Sequence, residues 1–169
     1  MMQDIVIDIS VEASDWTDEA VLESMARKAF TACLSKTQIK LDKGTEVSVV
    51  FTDDASIAKL NKTWRSKEQA TNVLSFPAKM SGPFPVLGDI ILASETVKRE
   101  AELEGKSLQN HIYHLLIHGF LHLLGYDHVQ DEEANTMESL EIAILETLSI
   151  HNPYADDSRV LTMEEKAVF

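Results

Sequence analysis

The chain has 169 residues, 44% of them hydrophobic and 25% charged, with one cysteine and a net charge of −13. A domain of this size buries about two-thirds of its unfolded surface, so bulk stability needs neither disulfide nor metal, and an ion would be there for chemistry. One cysteine excludes an internal disulfide, the opening MMQDIVIDIS lacks a basic and an apolar signal region, and no apolar run approaches the ~20 residues of a membrane span.

These features predict a cytoplasmic chain with no membrane partner. The net charge disfavours non-specific binding to nucleic acid, but the acidity is uneven. Residues 1–130 hold 13 of the 15 basic residues, whereas residues 131–169 hold 10 acids and 2 bases. A local basic surface therefore remains open.

In chain order, Gln3 to Ile9 alternates apolar Ile5, Ile7 and Ile9 with Asp4 and Asp8, the period of a half-buried strand. Asp15 or Thr17 is placed to cap a helix through Val21, Leu22, Met25, Ala29 and Phe30. Cys33 in its apolar stretch reads as a small buried hydrophobe. Glu46 to Phe51 predicts a second strand, and Asp53 or Asp54 caps a helix carrying Ile57, Leu60 and Trp64. Asn72 to Phe76 predicts a short strand ended by Pro77, and AKMSGPFPVLG a loop. Asp89 to Ala93 is the next strand, followed by a helix capped by Ser94 that stops at Gly105. Ser107 opens an apolar helix ending at Gly125, and a last helix from about Asp131 to Ser149 turns Met137, Leu140, Ile144 and Leu148 to one side. The polar residues 153–169 read as a flexible tail behind one domain, 1–152. This order predicts a mixed α+β domain with a small sheet flanked by helices.

Most of the chemistry lies in His118-Gly119-Phe-Leu-His122-Leu-Leu-Gly125-Tyr-Asp-His128. Residues four apart on a helix share a face, so the His118 and His122 imidazoles can reach one ion. Gly125 can take a left-handed conformation that ends the helix, and the reversed chain returns His128 to the same point. Three imidazoles leave a fourth position on zinc open, the arrangement of catalytic sites. Zinc lowers the pKa of a bound water from ~15.7 to ~7. Nickel and copper accept the same ligands. The spacing matches that of the metzincin proteases, whose general-base glutamate follows the first histidine. Here that position is Gly119, which cannot move a proton.

With these residues in place the chain resembles the YbeY family, bacterial metal-dependent endoribonucleases of ribosomal RNA maturation. The match rests on LNKTWRSKEQATNVLSFP (60–77), GDI (88–90), HLLIHGFLHLLGYDH (114–128) and the acidic helix DEEANTMESLEIAIL. Asn72 departs from it, standing where the family carries aspartate. The resemblance implies a zincin-like mixed sheet, a zinc ion on His118, His122 and His128, and Arg65 facing the same cleft. The planar fork of an arginine suits a phosphodiester. Lys59, Lys62, Arg65 and Lys67 form a local cluster of four cations without an acid, and Trp64 and Phe76 can stack on unpaired bases. Arg65, Lys59, Lys62 and Trp64 are therefore the expected substrate-binding residues, and Arg65 and His114 the expected catalytic ones. His114 matches a family histidine; it can lie beside the metal, bond behind a ligand, or be a satisfied core residue. Asp127 either orients the His128 ring or caps the turn, Asp89 either serves the start of its strand or faces the cleft, and His111 and His151 have no assigned role.

The resulting expectation is a zinc-dependent endoribonuclease, preferring single strands, that acts in 16S rRNA maturation and ribosome quality control. Its partners would be ribosomal RNA and the small subunit, with a ribosomal protein or assembly GTPase as a further contact. Two alternatives stand beside it: a zinc hydrolase of a peptide or other non-nucleic-acid substrate, and a non-catalytic ribosome assembly factor.

Overall fold

The computed structural model describes residues 4–65, 71–78 and 85–154, apart from the side chains of Trp64 and Arg65. Four strands, β1 (Ile5–Val11), β2 (Thr45–Thr52), β3 (Val73–Pro77) and β4 (Val86–Ala93), form one sheet in the order β1-β2-β4-β3. β1, β2 and β4 run parallel, and β3 is an antiparallel edge. The helices are α1 (Glu19–Thr37), α2 (Asp54–Arg65), α3 (Ser94–Leu103), α4 (Leu108–Leu123) and α5 (Asp131–Thr147). The expected mixed α+β class is thus the one observed.

β4 sorts its side chains by face. Ile90 and Leu92 join Val47, Val49 and Phe51 in the main core with α1, α4 and α5, whereas Ile91 and Ala93 meet Ile57 of α2 on the other side. In α1, Leu22, Met25, Ala26, Ala29, Phe30, Cys33 and Leu34 are buried at helical spacing. Val21, expected on that stripe, is instead 45% exposed.

Several boundaries differ from expectation for local reasons. α1 starts at Glu19, with Val21 and Leu22 amides donating to the Asp18 carbonyl, rather than behind Asp15 or Thr17. The preceding residues seat Trp16, whose indole N–H donates to the Thr52 carbonyl at 2.8 Å while its ring packs edge-on against Phe51. Asp15 is held by Lys98 from α3. Asp53 does cap α2, accepting from the Ser56 amide at 2.8 Å. Ser94 does not cap α3. Asp54 does so from outside, accepting from the amide and hydroxyl of Thr96 at 3.0 and 2.8 Å, while Glu95 accepts from the Asp54 amide at 2.9 Å. The starts of α2 and α3 are therefore capped reciprocally, and two partial positive helix ends each gain a carboxylate.

β4 begins three residues earlier than the glycine-proline stretch suggested. Val86, Leu87 and Gly88 are strand, with a bulge where Glu46 and Val47 face Val86 and Gly88. Gly88 has φ +149°, and a Cβ there would sit 2.4 Å from the Phe76 carbonyl and 2.8 Å from Leu123. Strand β3 and the end of α4 close on this position from two sides. Replacing Gly88 with alanine combines backbone strain of ~1–3 kcal/mol with overpacking of ~1–3 kcal/mol. We expect Gly88→Ala to lower unfolding free energy by about 3 kcal/mol in denaturant titration; a change below about 1 kcal/mol would show that the strand ends can relax.

Candidate metal centre

α4 is apolar nearly all round and is embedded accordingly, with Ile112, Leu115, Leu116, Ile117, Phe120, Leu121 and Leu123 buried. Ser107 caps its start, accepting from the Asn110 amide at 3.1 Å. Phe120 stacks on Phe30 of α1 with centroids 4.3 Å apart, fixing the helix against its neighbour. At the far end Gly125 takes φ +108° and the Tyr126 amide donates back to the Leu121 carbonyl, so the chain turns as expected.

That turn brings His128 to His118 and His122. The three rings lie with centroids 4.7, 5.6 and 4.9 Å apart, and one nitrogen from each falls within 4.8 Å of the others. His118 and His122 are half-buried and His128 is exposed, so the cluster sits at the surface end of α4.

Hydrogen bonds fix which nitrogens face inward. His118 Nδ1 lies 2.9 Å from Glu141 Oε1, and His122 Nδ1 lies 3.0 Å from the Tyr126 carbonyl oxygen. An ionised carboxylate and a carbonyl only accept, so each Nδ1 must carry the proton and donate it. In the neutral rings both Nε2 atoms then present lone pairs to each other, 3.2 Å apart. Two lone pairs at that distance repel unless a positive charge stands between them. Zinc–nitrogen bonds of about 2.0–2.1 Å give a tetrahedral edge of about 3.3 Å, so the pair fits a cation of this kind.

The groups behind His118 are deeply buried. Glu141, on the apolar side of α5, is 2% exposed. Burial would raise its pKa, but donation from His114 and His118 outweighs this and holds it near 2. His114 Nε2 reaches the same Oε1 at 3.0 Å, and burial depresses its pKa despite the carboxylate, so it is a neutral donor. His114 is thus placed behind His118, sharing Glu141 Oε1 with it. Tyr154 closes the network, its hydroxyl donating to Glu141 Oε2 at 3.1 Å. His122 is pushed down to about 4, first by burial and then by the neighbouring His118 and His128.

Gly119 faces the sheet. A Cβ there would lie 3.0 Å from Ile90 and 3.1 Å from the Ser75 hydroxyl. The glycine that replaces the protease glutamate is therefore also a packing requirement, because α4 crosses β3 and β4 at close range. Asp127 accepts from the His128 backbone amide at 2.7 Å, so it caps the turn. Asp89 is exposed in the middle of β4, since that strand starts earlier than expected.

Lys59 and Lys62 are exposed on α2, across the sheet from α4, and Lys62 has contacts of its own. Trp64 and Arg65 end α2, but the roles expected of their side chains lie outside the described residues, as do Lys67, the loop at 79–84 and the tail from 155 onward. Phe76 packs against the α2 side of the sheet. His151 is exposed. His111, left without a role, is buried with Nε2 2.9 Å from Glu100, which also accepts from the Asn72 side-chain amide at 3.0 Å. An aspartate at position 72 would set two carboxylates together, so asparagine has a local reason here.

Sequence reasoning missed Glu141 and Tyr154. Glu141 follows the apolar spacing of Met137 and Ile144, and an acid on that side of the helix was a legible signal; Tyr154 offered none.

Comparison with known proteins points the same way. A family model described as Endoribonuclease YbeY matches residues 8–149. Proteins named Endoribonuclease YbeY from Bartonella henselae and Agrobacterium fabrum are each 49% identical, over 156 and 158 residues. These alignments cover 90% and 88% of this chain, and 98% and 94% of those proteins. The solution structure of TM1509 from Thermotoga maritima shares the fold, with a TM-score of 0.55 at 20% identity, covering 92% of this chain and 100% of that one.

His122 and Gly119 each give a test. In the unfolded chain His122 titrates near 6.5, whereas in the folded metal-free protein it resists protonation until about 4. The unfolded state thus binds the extra proton, and stability is lost as pH falls from 6.5 to 4. Thermal unfolding of chelator-treated protein between pH 7.5 and 4 should show this fall, and His122→Asn should flatten it; an equal slope in both proteins would refute the assignment. Gly119→Ala should cost about 1–3 kcal/mol by overpacking. Gly119→Glu, which completes the protease motif, should lose the fold rather than acquire peptidase activity, as circular dichroism and a casein assay would show.

Proposed function

Because this chain belongs to the YbeY family of endoribonucleases, we propose that it is a zinc-dependent nuclease that cleaves RNA phosphodiester bonds. The observation that carries the reading is the convergence of His118 Nε2, His122 Nε2 and a His128 nitrogen with the first two tautomers fixed from behind. His118, His122 and His128 would hold the ion. Zinc in such a site supplies Lewis acidity toward a phosphoryl oxygen and a water of lowered pKa.

The protein's own groups divide the remaining work. Glu141 and the Tyr126 carbonyl orient the ligand rings. Arg65, at the end of α2, binds the scissile phosphate through its paired N–H groups and stabilises charge on its oxygens. Lys59, Lys62 and Trp64, on the helix that covers the other face of the sheet, extend the binding surface for single-stranded RNA past the β3 edge, the basic residues along the backbone and the indole against a base. His114 acts from the buried layer through Glu141. Position 119 offers no proton acceptor and has no room for one, which counts against peptide hydrolysis. The substrate in this reading is precursor 16S ribosomal RNA on the small subunit, in maturation and quality control, with a ribosomal protein or assembly GTPase as a further contact. The site of action is the cytoplasm; among the described residues no helix is long and apolar enough to cross a membrane.

The test is cleavage of a labelled ribosomal RNA fragment by the wild type, His122→Ala and Arg65→Ala, with zinc assayed on each preparation. We expect about one zinc and cutting in the wild type, and loss of both in His122→Ala. Arg65→Ala should keep its zinc and lose roughly 10²–10³-fold in rate, the usual cost of removing a charge-stabilising donor. Intact RNA with metal-loaded wild type would sink the nuclease reading, and undiminished cutting by Arg65→Ala would remove that residue from the site.

A further inference from the structure

Glu141 lies behind His118, on the Nδ1 side of the ring, and is too buried to meet a substrate. Its Oε1 accepts from both His118 Nδ1 and His114 Nε2, so the remaining oxygen, Oε2, also needs a donor. Among the described residues that donor is the Tyr154 hydroxyl, at 3.1 Å. The same hydroxyl lies 3.2 Å from His114 Nε2, and the phenol ring packs edge-on against the His114 imidazole with centroids 5.4 Å apart.

Tyr154 reaches this place by a turn of the chain beyond α5. Ser149 adopts φ +61°, the Ile150 amide donates to the Leu145 carbonyl, and Asn152 Oδ1 accepts from the Tyr154 amide at 2.8 Å. The phenol is thereby folded back over α5 and onto α4. Burial and the Glu141 charge push its pKa up, so it remains a hydroxyl able to donate.

We propose that Tyr154 and Glu141 are positioning residues of the metal centre, and that the segment after α5 sets how tightly the three histidines hold their ion. Tyr154 satisfies one carboxylate oxygen. The carboxylate, kept in place, holds His118 with its proton on Nδ1 and its lone pair on Nε2 toward the ion. Without the phenol hydroxyl a buried carboxylate oxygen loses its donor, and Glu141 recovers one by rotating away from His118. That rotation releases the His118 ring. The inference rests on reading His118, His122 and His128 as metal ligands.

The experiment uses full-length wild type, Glu141→Gln and Tyr154→Phe, stripped of metal and titrated with zinc against a chromophoric chelator at pH 7.5. The His118 tautomer is read separately in the metal-free proteins from imidazole ¹⁵N shifts. Phenylalanine keeps the ring packing, so Tyr154→Phe isolates the hydroxyl. We expect Glu141→Gln to weaken zinc binding about 10–100-fold, as loss of a partner behind a ligand does, and Tyr154→Phe to weaken it less, roughly 3–10-fold. Both should shift His118 from the pure Nδ1–H form toward a mixture. If Glu141→Gln does not fold, Tyr154→Phe decides alone. Wild-type affinity and an unchanged tautomer in the variants would overturn the proposal while leaving the metal site intact. A wild type that binds no zinc would overturn the ligand assignment itself, and the inference with it.

Discussion

The lone pairs of His118 and His122 are made to face each other by acceptors that cannot donate, and much of the site depends on that constraint. A carboxylate and a backbone carbonyl each claim one ring proton, leaving two Nε2 atoms 3.2 Å apart. Such a pair is unfavourable by itself and favourable around a cation. The surrounding structure supplies the stiffness that keeps it so. α4 is gripped by α1 through the Phe30–Phe120 stack and pressed against β3 and β4 at Gly119, so the helix has little freedom to rotate its histidines apart.

The buried anion behind His118 is the costly part of this arrangement. Placing Glu141 in the core without donors would be prohibitive; three hydrogen bonds make it tolerable, and its negative charge then favours a cation at the other face of the His118 ring. The neighbouring Asn72–Glu100–His111 set repeats the chemistry one turn earlier on α4, with a carboxylate between an imidazole and a neutral amide. Among the described residues His111 belongs to no cluster that could hold a metal, and the set ties the residue before β3 to α3 and α4.

What the sequence disclosed depended on how local the signal was. The two histidines one turn apart, the glycine that reverses the chain and the third histidine lie within eleven residues, and the physics joining them is contained in that span. Strand and helix identities were legible from periodicity for the same reason. Boundaries failed where distant residues intervened: Trp16 postponed α1 by docking on Thr52, and Asp54 replaced Ser94 as the cap of α3 from 42 residues away. Glu141 shows the limit most clearly. Among the many acids of α5 it differed only in falling in step with Met137 and Ile144, and its partners on α4 were 23 and 27 residues distant. Tyr154 needed the whole C-terminal turn to be known.

The order of these groups along the chain has a consequence for synthesis. The histidines of α4 are made before the carboxylate of α5, and Tyr154 follows 13 residues after Glu141. A growing chain therefore exposes its three imidazoles while His118 is still free to carry its proton on either nitrogen. The choice is settled only when α5 and the turn behind it fold back onto α4, so the histidine cluster is completed by segments made after the sheet that supports it.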